Sequence, residues 1–544
     1  MKGLVLLTIT LALSSVEPDF NCQLCHESLK SIHLYSKHQD NYSYLIQLAK
    51  DLCVQYGEPT WFEICNQLID VFKQVVIDAL MDKIFDHEYV CKVLGHCSGP
   101  HYIKEDFEFY MSSVMRNKPS RPAKGNLTDT YKFVQVSDIH IDLEYRQGTV
   151  GDCGIPQCCR KGEGDAGKWG GFNCDLPLGT LQAALEQIKD MSPDFVVITG
   201  DFPPHDVWSQ SKQSNLHYQS VVAETFQRIL PNTKLLPIYG NHACYPINQC
   251  KLGKDNWIAK PFVEAWNLPL RHLESLQYRG GYSEKIGSNL RVIALDTNTD
   301  NCGNLQISKN STNPLGQLTW LYLQLLDAEK NNEKVLIFGH ISPGDPDALG
   351  TWGKHFEVLM DRFEYTVTGQ LYGHSHIDQI HINKGVYDKS KATSIQWVAP
   401  SLTTYTNNNP AFRVFEADLY SHRLVEIYQY RMDLVERNKF NDRPVWELAY
   451  KFTELYGVLD IDPETVLGIG NQMENDLTTV NIYRTQAYGN GINKDCDIDC
   501  RNFFHCSVTQ GVISDIIACQ GFSEEGLLST FLQQFFTEWT YKVT

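Results

Sequence analysis

Beyond its first thirteen residues the sequence holds no apolar run approaching the ~20 residues that a membrane-spanning helix needs, so no transmembrane segment is expected. Positive charge is in short supply: 47 Lys and Arg stand against 65 Asp and Glu, a formal net charge of -18. A polyanion requires a basic footprint, so nucleic acid is excluded as the expected main partner. Internal repeats and low-complexity tracts are missing too. What remains is a chain of 544 residues with an ordinary apolar fraction of 42%, long enough for roughly two to four structural units.

The apolar stretch at the start has Lys2 before Leu4–Leu13 and the small residues Ser14 and Ser15 behind it. That is the pattern of a signal peptide, expected over residues 1–19. Seventeen cysteines clustered at short spacings point to disulfides formed in an oxidising lumen. Three sequons, at Asn41, Asn126 and Asn310, are candidate glycosylation sites and agree with that route. The expected location is therefore secreted, lysosomal or both. An acidic compartment would protonate some carboxylates and relieve the self-repulsion of so negative a chain.

From Cys22 to Cys97 six cysteines are interleaved with helical patterns: Leu45, Leu48 and Leu52, then Ile64, Leu68, Val71, Phe72, Val75, Val76 and Leu80. Apolar groups so spaced share one side of each helix. Six cysteines allow fifteen pairings, and counting does not choose among them. Residues 100–130, with Pro119, Arg121, Pro122, Lys124 and Gly125, read as a linker. From Tyr131 short β-rich runs alternate with helical stretches: Phe133–Val136, Phe195–Ile198, Leu235–Tyr239, Leu290–Leu295, Val335–Phe338 and Gln370–Tyr372. Alternation of this kind predicts a layered α/β domain, assigned to residues 131–430. Residues 431–544 read as mostly helical, with a last cluster at Cys496, Cys500, Cys506 and Cys519.

Metal-binding residue types fall just after the predicted strands. The first runs into Asp138-Ile-His140, the second into Gly200-Asp201, the third into Gly240-Asn241-His242, the fifth into Gly339-His340, and the sixth into Gly373-His374-Ser-His376. Strand carboxyl ends are where α/β sheets build their sites. Imidazole mixed with carboxylate suits Zn, Fe or Mn better than Ca or Mg. The residues are also too many for one tetrahedral ion.

The ordered set DxH, GD, GNH, GH and GHxH resembles the calcineurin-like metallophosphoesterases. That resemblance implies a β-sandwich flanked by helices and two metal ions per chain, taken as Zn2+. One ion would take Asp138, His140 and His376, the other Asn241, His340 and His374, with Asp201 bridging. Two ions about 3.5 to 4 Å apart can clamp phosphate oxygens and activate a hydroxide for in-line displacement. A lipid alkoxide leaves poorly unless protonated, so a general acid must stand opposite the attack. His205 and His242 are the catalytic candidates, and sequence does not choose between them.

Longer stretches narrow the resemblance. Gly200-Asp-Phe-Pro-Pro-His-Asp-Val-Trp208, Gly339-His-Ile-Ser-Pro-Gly344, Gly369–His376 and Ala399–Pro410 look like the acid sphingomyelinase family. The reaction implied is hydrolysis of sphingomyelin to ceramide and phosphocholine, the partner being a membrane sphingolipid approached peripherally; the sequence does not fix the oligomeric state, a monomer being the favoured expectation. A relative acting on nucleotide phosphodiesters and a non-catalytic lipid-binding protein are the alternatives. The N-terminal spacing resembles the saposin B-type domain over residues 20–99. It implies pairs Cys22–Cys97, Cys25–Cys91 and Cys53–Cys65, and helices that present lipid. The family likewise implies Cys153–Cys158, Cys159–Cys174, Cys496–Cys500 and Cys506–Cys519. Trp208, Tyr245 and Tyr405 are candidate aromatic partners for a quaternary ammonium. Two departures stand out. The family carries Glu after GNH, whereas Ala243-Cys244-Tyr245 follows here, which leaves support for His242 open. The partner expected for Cys302 after the GH motif is replaced by Pro343-Gly-Asp-Pro-Asp347, so at least one of Cys244, Cys250 and Cys302 is expected to be free, and Cys244 with Cys250 is the expected pair.

Overall fold

The computed structural model describes residues 61–81, 110–120, 129–304, 312–405, 407–440, 443–489 and 496–521, with a few single positions between 27 and 53. The chain divides into two compact units, one of residues 1–109, 305–309 and 517–544, the other of 110–304 and 310–516.

In the first unit the helix Phe62–Met81 is described, and Cys53 is bonded to Cys65. Ile64 and Val75 on that helix are buried, as the apolar spacing predicts. Cys22, Cys25, Cys91 and Cys97, the sequons Asn41, Asn126 and Asn310, residues 1–19 and most of the 100–130 linker lie outside the described residues.

The second unit is built on two six-stranded sheets. Its strands are β1 (Thr130–Val136), β2 (Phe195–Ile198), β3 (Lys234–Pro237), β4 (Gly281–Ile286), β5 (Leu290–Leu295), β6 (Lys334–Phe338), β7 (Val367–Tyr372), β8 (Gln379–Lys384), β9 (Ala392–Val398), β10 (Ala411–Asp418), β11 (Leu424–Arg431) and β12 (Glu447–Lys451). One sheet runs β12-β11-β10-β1-β2-β3 and the other β4-β5-β6-β7-β9-β8. Within them β1, β2 and β3 are parallel neighbours, and so are β5, β6 and β7. Strands covered on both faces read as unbroken apolar runs, and every residue of Phe195–Ile198 and of Leu290–Leu295 is buried. The sheets meet through hydrogen bonds as well as packing: Gln135 Nε2 donates to Tyr372 O at 2.8 Å.

All six strands anticipated from the sequence are present, although the third stops at Pro237 rather than Tyr239, which leaves a longer loop before Asn241. The other six were not legible. In β8 and β9 the reason is buried polar side chains that blur the apolar pattern. Gln370 Nε2 donates to Asn383 Oδ1 at 2.9 Å and Ser394 Oγ at 2.6 Å, and Gln396 Nε2 donates to Asn383 Oδ1 at 3.1 Å. These hydrogen bonds offset much of the cost of burying the groups inside the sheet, although Asn383 Nδ2 and Gln396 Oε1 have no partner among the described residues.

The boundary drawn at Tyr430 does not separate compact parts. β12 lies beyond it and pairs antiparallel with β11, a strand within the region read as mostly helical. The helices Pro463–Gln472, Leu477–Ala487 and Ile498–Thr509 follow. They are tied to the second sheet: Ile380 N donates to Tyr483 Oη at 3.0 Å, His381 Nδ1 to Ser507 O at 2.7 Å, and Gln396 Nε2 to Gly511 O at 2.7 Å.

Four further disulfides are seen in this unit: Cys153–Cys158, Cys159–Cys174, Cys244–Cys250 and Cys496–Cys500. Cys506 and Cys519 are each disulfide-bonded, and Cys302 is free.

Candidate metal centre

Two sets of three parallel strands end at one place. From β1 come Asp138 and His140, from β2 Asp201, from the loop after β3 Asn241 and His242, from β6 His340, and from β7 His374 and His376. The backbone there is unusual. Asp138 (φ 49°), His140 (40°), Asp201 (53°), His374 (77°) and His376 (64°) are all left-handed, a conformation costing a non-glycine residue about 1–3 kcal/mol. Cross-loop hydrogen bonds hold it: Ile139 N and His140 N both donate to Asp201 O at 2.9 Å, and Thr403 N to Asp138 O at 2.9 Å. Two motif glycines are set by crowding. A Cβ on Gly240 would lie 2.1 Å from Asp201 Oδ1, and one on Gly373 1.9 Å from Ser137 Oγ.

The donor atoms gather into two groups. One atom each from Asp138, His140 and His376 lie within 4.8 Å of one another, and so do atoms from Asp201, His340 and His374. Asp201 Oδ2 is 3.5 Å from His140 Nε2 and 3.1 Å from His340 Nε2, so it stands between the groups. Asn241 Oδ1 lies 2.9 Å from His340 Nε2. The structure thus brings together all seven sequence-nominated ligands.

Three imidazoles have their tautomer set from behind. His140 Nδ1 donates to Pro203 O at 2.8 Å, His340 Nδ1 to Thr199 O at 2.7 Å, and His376 Nδ1 to Tyr405 O at 3.3 Å. With the proton on Nδ1, each neutral ring turns an Nε2 lone pair inward. The lone pairs of His140 and His376 then face each other at 3.1 Å, with Asp138 Oδ1 3.7 Å from the latter. Converging lone pairs and carboxylates repel unless a cation sits among them, so the residues fit metal ions. Two groups joined by a shared aspartate are the donor geometry of a two-ion centre, and four imidazoles favour a borderline transition ion over a hard one. Burial pushes His376 down to about 4, which keeps it in the neutral, ligating form.

His374 differs, its Nε2 donating to Asp347 Oδ2 at 3.0 Å with Asp345 Oδ1 at 3.8 Å. Burial opposes its charge, but these two carboxylates outweigh burial and hold it up at about 10.

His205 and His242 flank the first group. The His205 ring centroid is 3.9 Å from that of His140 and 4.7 Å from that of His242. Its Nδ1 donates to Asp175 Oδ1 at 2.8 Å and its main-chain N to Asp175 Oδ2 at 2.6 Å. Thr403 Oγ1 adds a third donor to Asp175 at 3.1 Å. Burial pushes Asp175 up to about 7 against those hydrogen bonds. The main-chain N of His242 donates to Asp201 Oδ1 at 3.0 Å, and Asn215 Nδ2 donates to its carbonyl at 3.0 Å. Its ring Nδ1 has no hydrogen-bond partner among the described residues, which matches the missing glutamate after GNH. Of the aromatic candidates, Tyr405 packs against His205 at 4.4 Å. Among the described residues no ring pair joins Trp208 or Tyr245 to this cluster.

Sequence reasoning missed Asp175, Asp345 and Asp347. The signal for the last two was present, since both follow the GH motif within seven residues. Asp175 had none, because its partner His205 is thirty residues away along the chain.

Comparison with known proteins agrees with this geometry. Residues 131–378 match the calcineurin-like phosphoesterase family, and residues 390–519 the acid sphingomyelin phosphodiesterase C-terminal region. Sphingomyelin phosphodiesterase B of Dictyostelium discoideum is 30% identical, over 92% of this chain and 82% of that protein. Sphingomyelin phosphodiesterase A of the same organism is 29% identical, over 92% and 91%. Human sphingomyelin phosphodiesterase is 28% identical, over 94% and 84%.

Proposed function

The chain belongs to the sphingomyelin phosphodiesterase family, with a calcineurin-like phosphoesterase domain, and from that premise we propose that it hydrolyses sphingomyelin to ceramide and phosphocholine. It is a metal-dependent phosphodiesterase. The observation that carries the reading is the pair of donor groups sharing Asp201, with inward lone pairs on His140 and His376.

The residues would suit zinc: Asp138, His140 and His376 would hold one ion, Asn241, His340 and His374 the other, and Asp201 would serve both. When bound, such ions lower the pKa of a water and neutralise charge on the phosphate oxygens. The protein's own groups do the rest. Asp175 Oδ1 holds the Nδ1 proton of His205, which makes Nε2 the nitrogen that gives a proton. His205 is therefore our general acid for the departing ceramide oxygen. His242, anchored through its main chain on Asp201, lies on the same side and is positioned to bind a phosphate oxygen. Tyr405, packed on His205, offers the aromatic face for the choline ammonium.

The N-terminal region, residues 20–99, would present lipid as a saposin-type domain, which the helix Phe62–Met81 and the Cys53–Cys65 bond support. No helix among the described residues is long and apolar enough to cross a membrane. Disulfides throughout the described chain support secretion, delivery to the lysosome, or both. Parallel assays test the substrate: phosphocholine release from sphingomyelin vesicles, and hydrolysis of a soluble nucleotide diester. Faster turnover of the nucleotide than of the lipid would reverse the assignment.

A further inference from the structure

We propose that the segment Thr297–Asn304, which contributes no ligand, positions all three ligands of one ion, Asn241, His340 and His374, and so governs that ion's binding separately from the other's. The proposal rests on the two-ion reading above.

The segment reaches each ligand by a different contact. Thr297 Oγ1 accepts the main-chain N–H groups of His340 at 3.1 Å and Ile341 at 2.8 Å. The fit is close enough that a Cβ on Gly339, the residue before His340, would lie 2.6 Å from Thr297 Cγ2. Asn301 acts through a relay. Its Nδ2 donates to Asn248 Oδ1 at 3.1 Å, and the same oxygen accepts from Asn241 Nδ2 at 2.8 Å. An amide has one donating and one accepting end, so fixing Asn241 Nδ2 on Asn248 turns Asn241 Oδ1 toward His340. Cys302 acts through its main chain, donating N–H to Asp347 O at 2.8 Å. Asp347 is the residue whose carboxylate holds His374 Nε2. Beside it Asn301 bridges Ala348, and Leu349 N donates to Asp300 O at 2.7 Å.

The segment is itself buried and hydrogen-bonded in place. Thr297, Asn298, Thr299, Asp300 and Asn301 are buried. Asp296 accepts from Asn298 N at 3.1 Å and Nδ2 at 2.9 Å, Thr299 Oγ1 donates to Gln317 Oε1 at 2.7 Å, and Asn304 Nδ2 closes the turn onto Asn298 O at 3.0 Å. The other three ligands are held elsewhere: His140 by Pro203 O, His376 by Tyr405 O, and Asp138 by Ser137 and the main chain of His374. The first position therefore draws no support from Thr297–Asn304, and the contacts that join the two positions are the main chain of His374 on Asp138 and the shared Asp201. Groups that orient ligands are typically worth 10–100-fold in metal affinity.

The test is a zinc titration of the metal-free, full-length protein by calorimetry, comparing wild type with Thr297→Val, Asn301→Leu and the partly exposed Asp347→Asn. Wild type should take two ions. Each variant should keep one at unchanged affinity and bind the second about 10–100-fold more weakly. Adding His376→Ala, which disables the other position, to any of them should leave no tight site. Thermal melts of the metal-free forms identify any variant that is simply unfolded, and Asp347→Asn keeps the test open if the two buried changes fail. Two ions bound as tightly in a folded variant as in wild type, or equal weakening of both, overturns the proposal. A wild type that binds fewer than two ions overturns instead the two-ion reading beneath it.

Discussion

His140 and His376 face each other through their Nε2 atoms at 3.1 Å, and each has its Nδ1 turned to a main-chain carbonyl. Two neutral rings so arranged have no proton to share between them. The pair is stable only with positive charge placed against both nitrogens, and Asp138 and Asp201 are poised to complete its shell.

Metal should accordingly be part of the protein's stability. A site filled at 100 times its dissociation constant adds about 2.7 kcal/mol to the folded state. Thermal melts in a strong chelator should fall by several degrees and recover when zinc is restored. Melts that coincide with and without chelator would contradict the assignment.

Asp201 Oδ2 lies within reach of both donor groups, 3.5 Å from His140 Nε2 and 3.1 Å from His340 Nε2. Asp201→Asn should cut turnover by at least the ~10²–10³-fold typical of losing one electrostatic contact in an active site, and weaken zinc binding in the same preparation. Near-normal hydrolysis by this variant would refute a bridging role.

Asp175 acts through His205, so its loss should depend on the leaving group. For sphingomyelin, Asp175→Asn should lower kcat by roughly 10²–10⁴-fold with little change in KM, the range for a lost general acid. With a p-nitrophenyl diester, whose leaving group needs no proton, the variant should stay close to wild type. Equal losses on both substrates would make Asp175 merely structural.

His381 makes a prediction about pH. Burial pushes it down to about 4, below the ordinary value near 6.5, while its Nδ1 donates to Ser507 O. The unfolded chain takes up this proton first. Its contribution is thus fully present above about pH 6.5 and is lost as pH falls through 4, to a limit of about 3 kcal/mol. His381→Asn should be less stable than wild type at pH 7.5, yet lose less stability between pH 6.5 and 4, as read from denaturant midpoints. Parallel curves would remove His381 as a contributor.

Peptide mapping without reduction, in denaturant, should recover Cys244 linked to Cys250 and Cys302 alkylated. A bridge from Cys302 to either of them would contradict the pairing.

What the sequence disclosed and what it hid follow from one distinction. Ligands sit at strand ends, so an apolar run followed by Asp, His or Asn marks them, and Asp138, Asp201 and His340 were legible as members of the ordered set of motifs. The supports could not. Asp175, Asn248 and Thr297 are ordinary residues whose partners lie far along the chain, and nothing local distinguishes them. β1 and β2 were legible because they are covered on both faces and read as apolar runs. β8 and β9 were not, because Asn383, Ser394 and Gln396 pair with one another inside the sheet. β12 was lost in a stretch whose neighbours are helical.

The most direct measurement is phosphocholine release from sphingomyelin vesicles by metal-free protein, followed as zinc is added back. Turnover should be absent at the start, rise as zinc is added and level off at two ions per chain. Full hydrolysis by protein shown to be free of metal would contradict metal dependence.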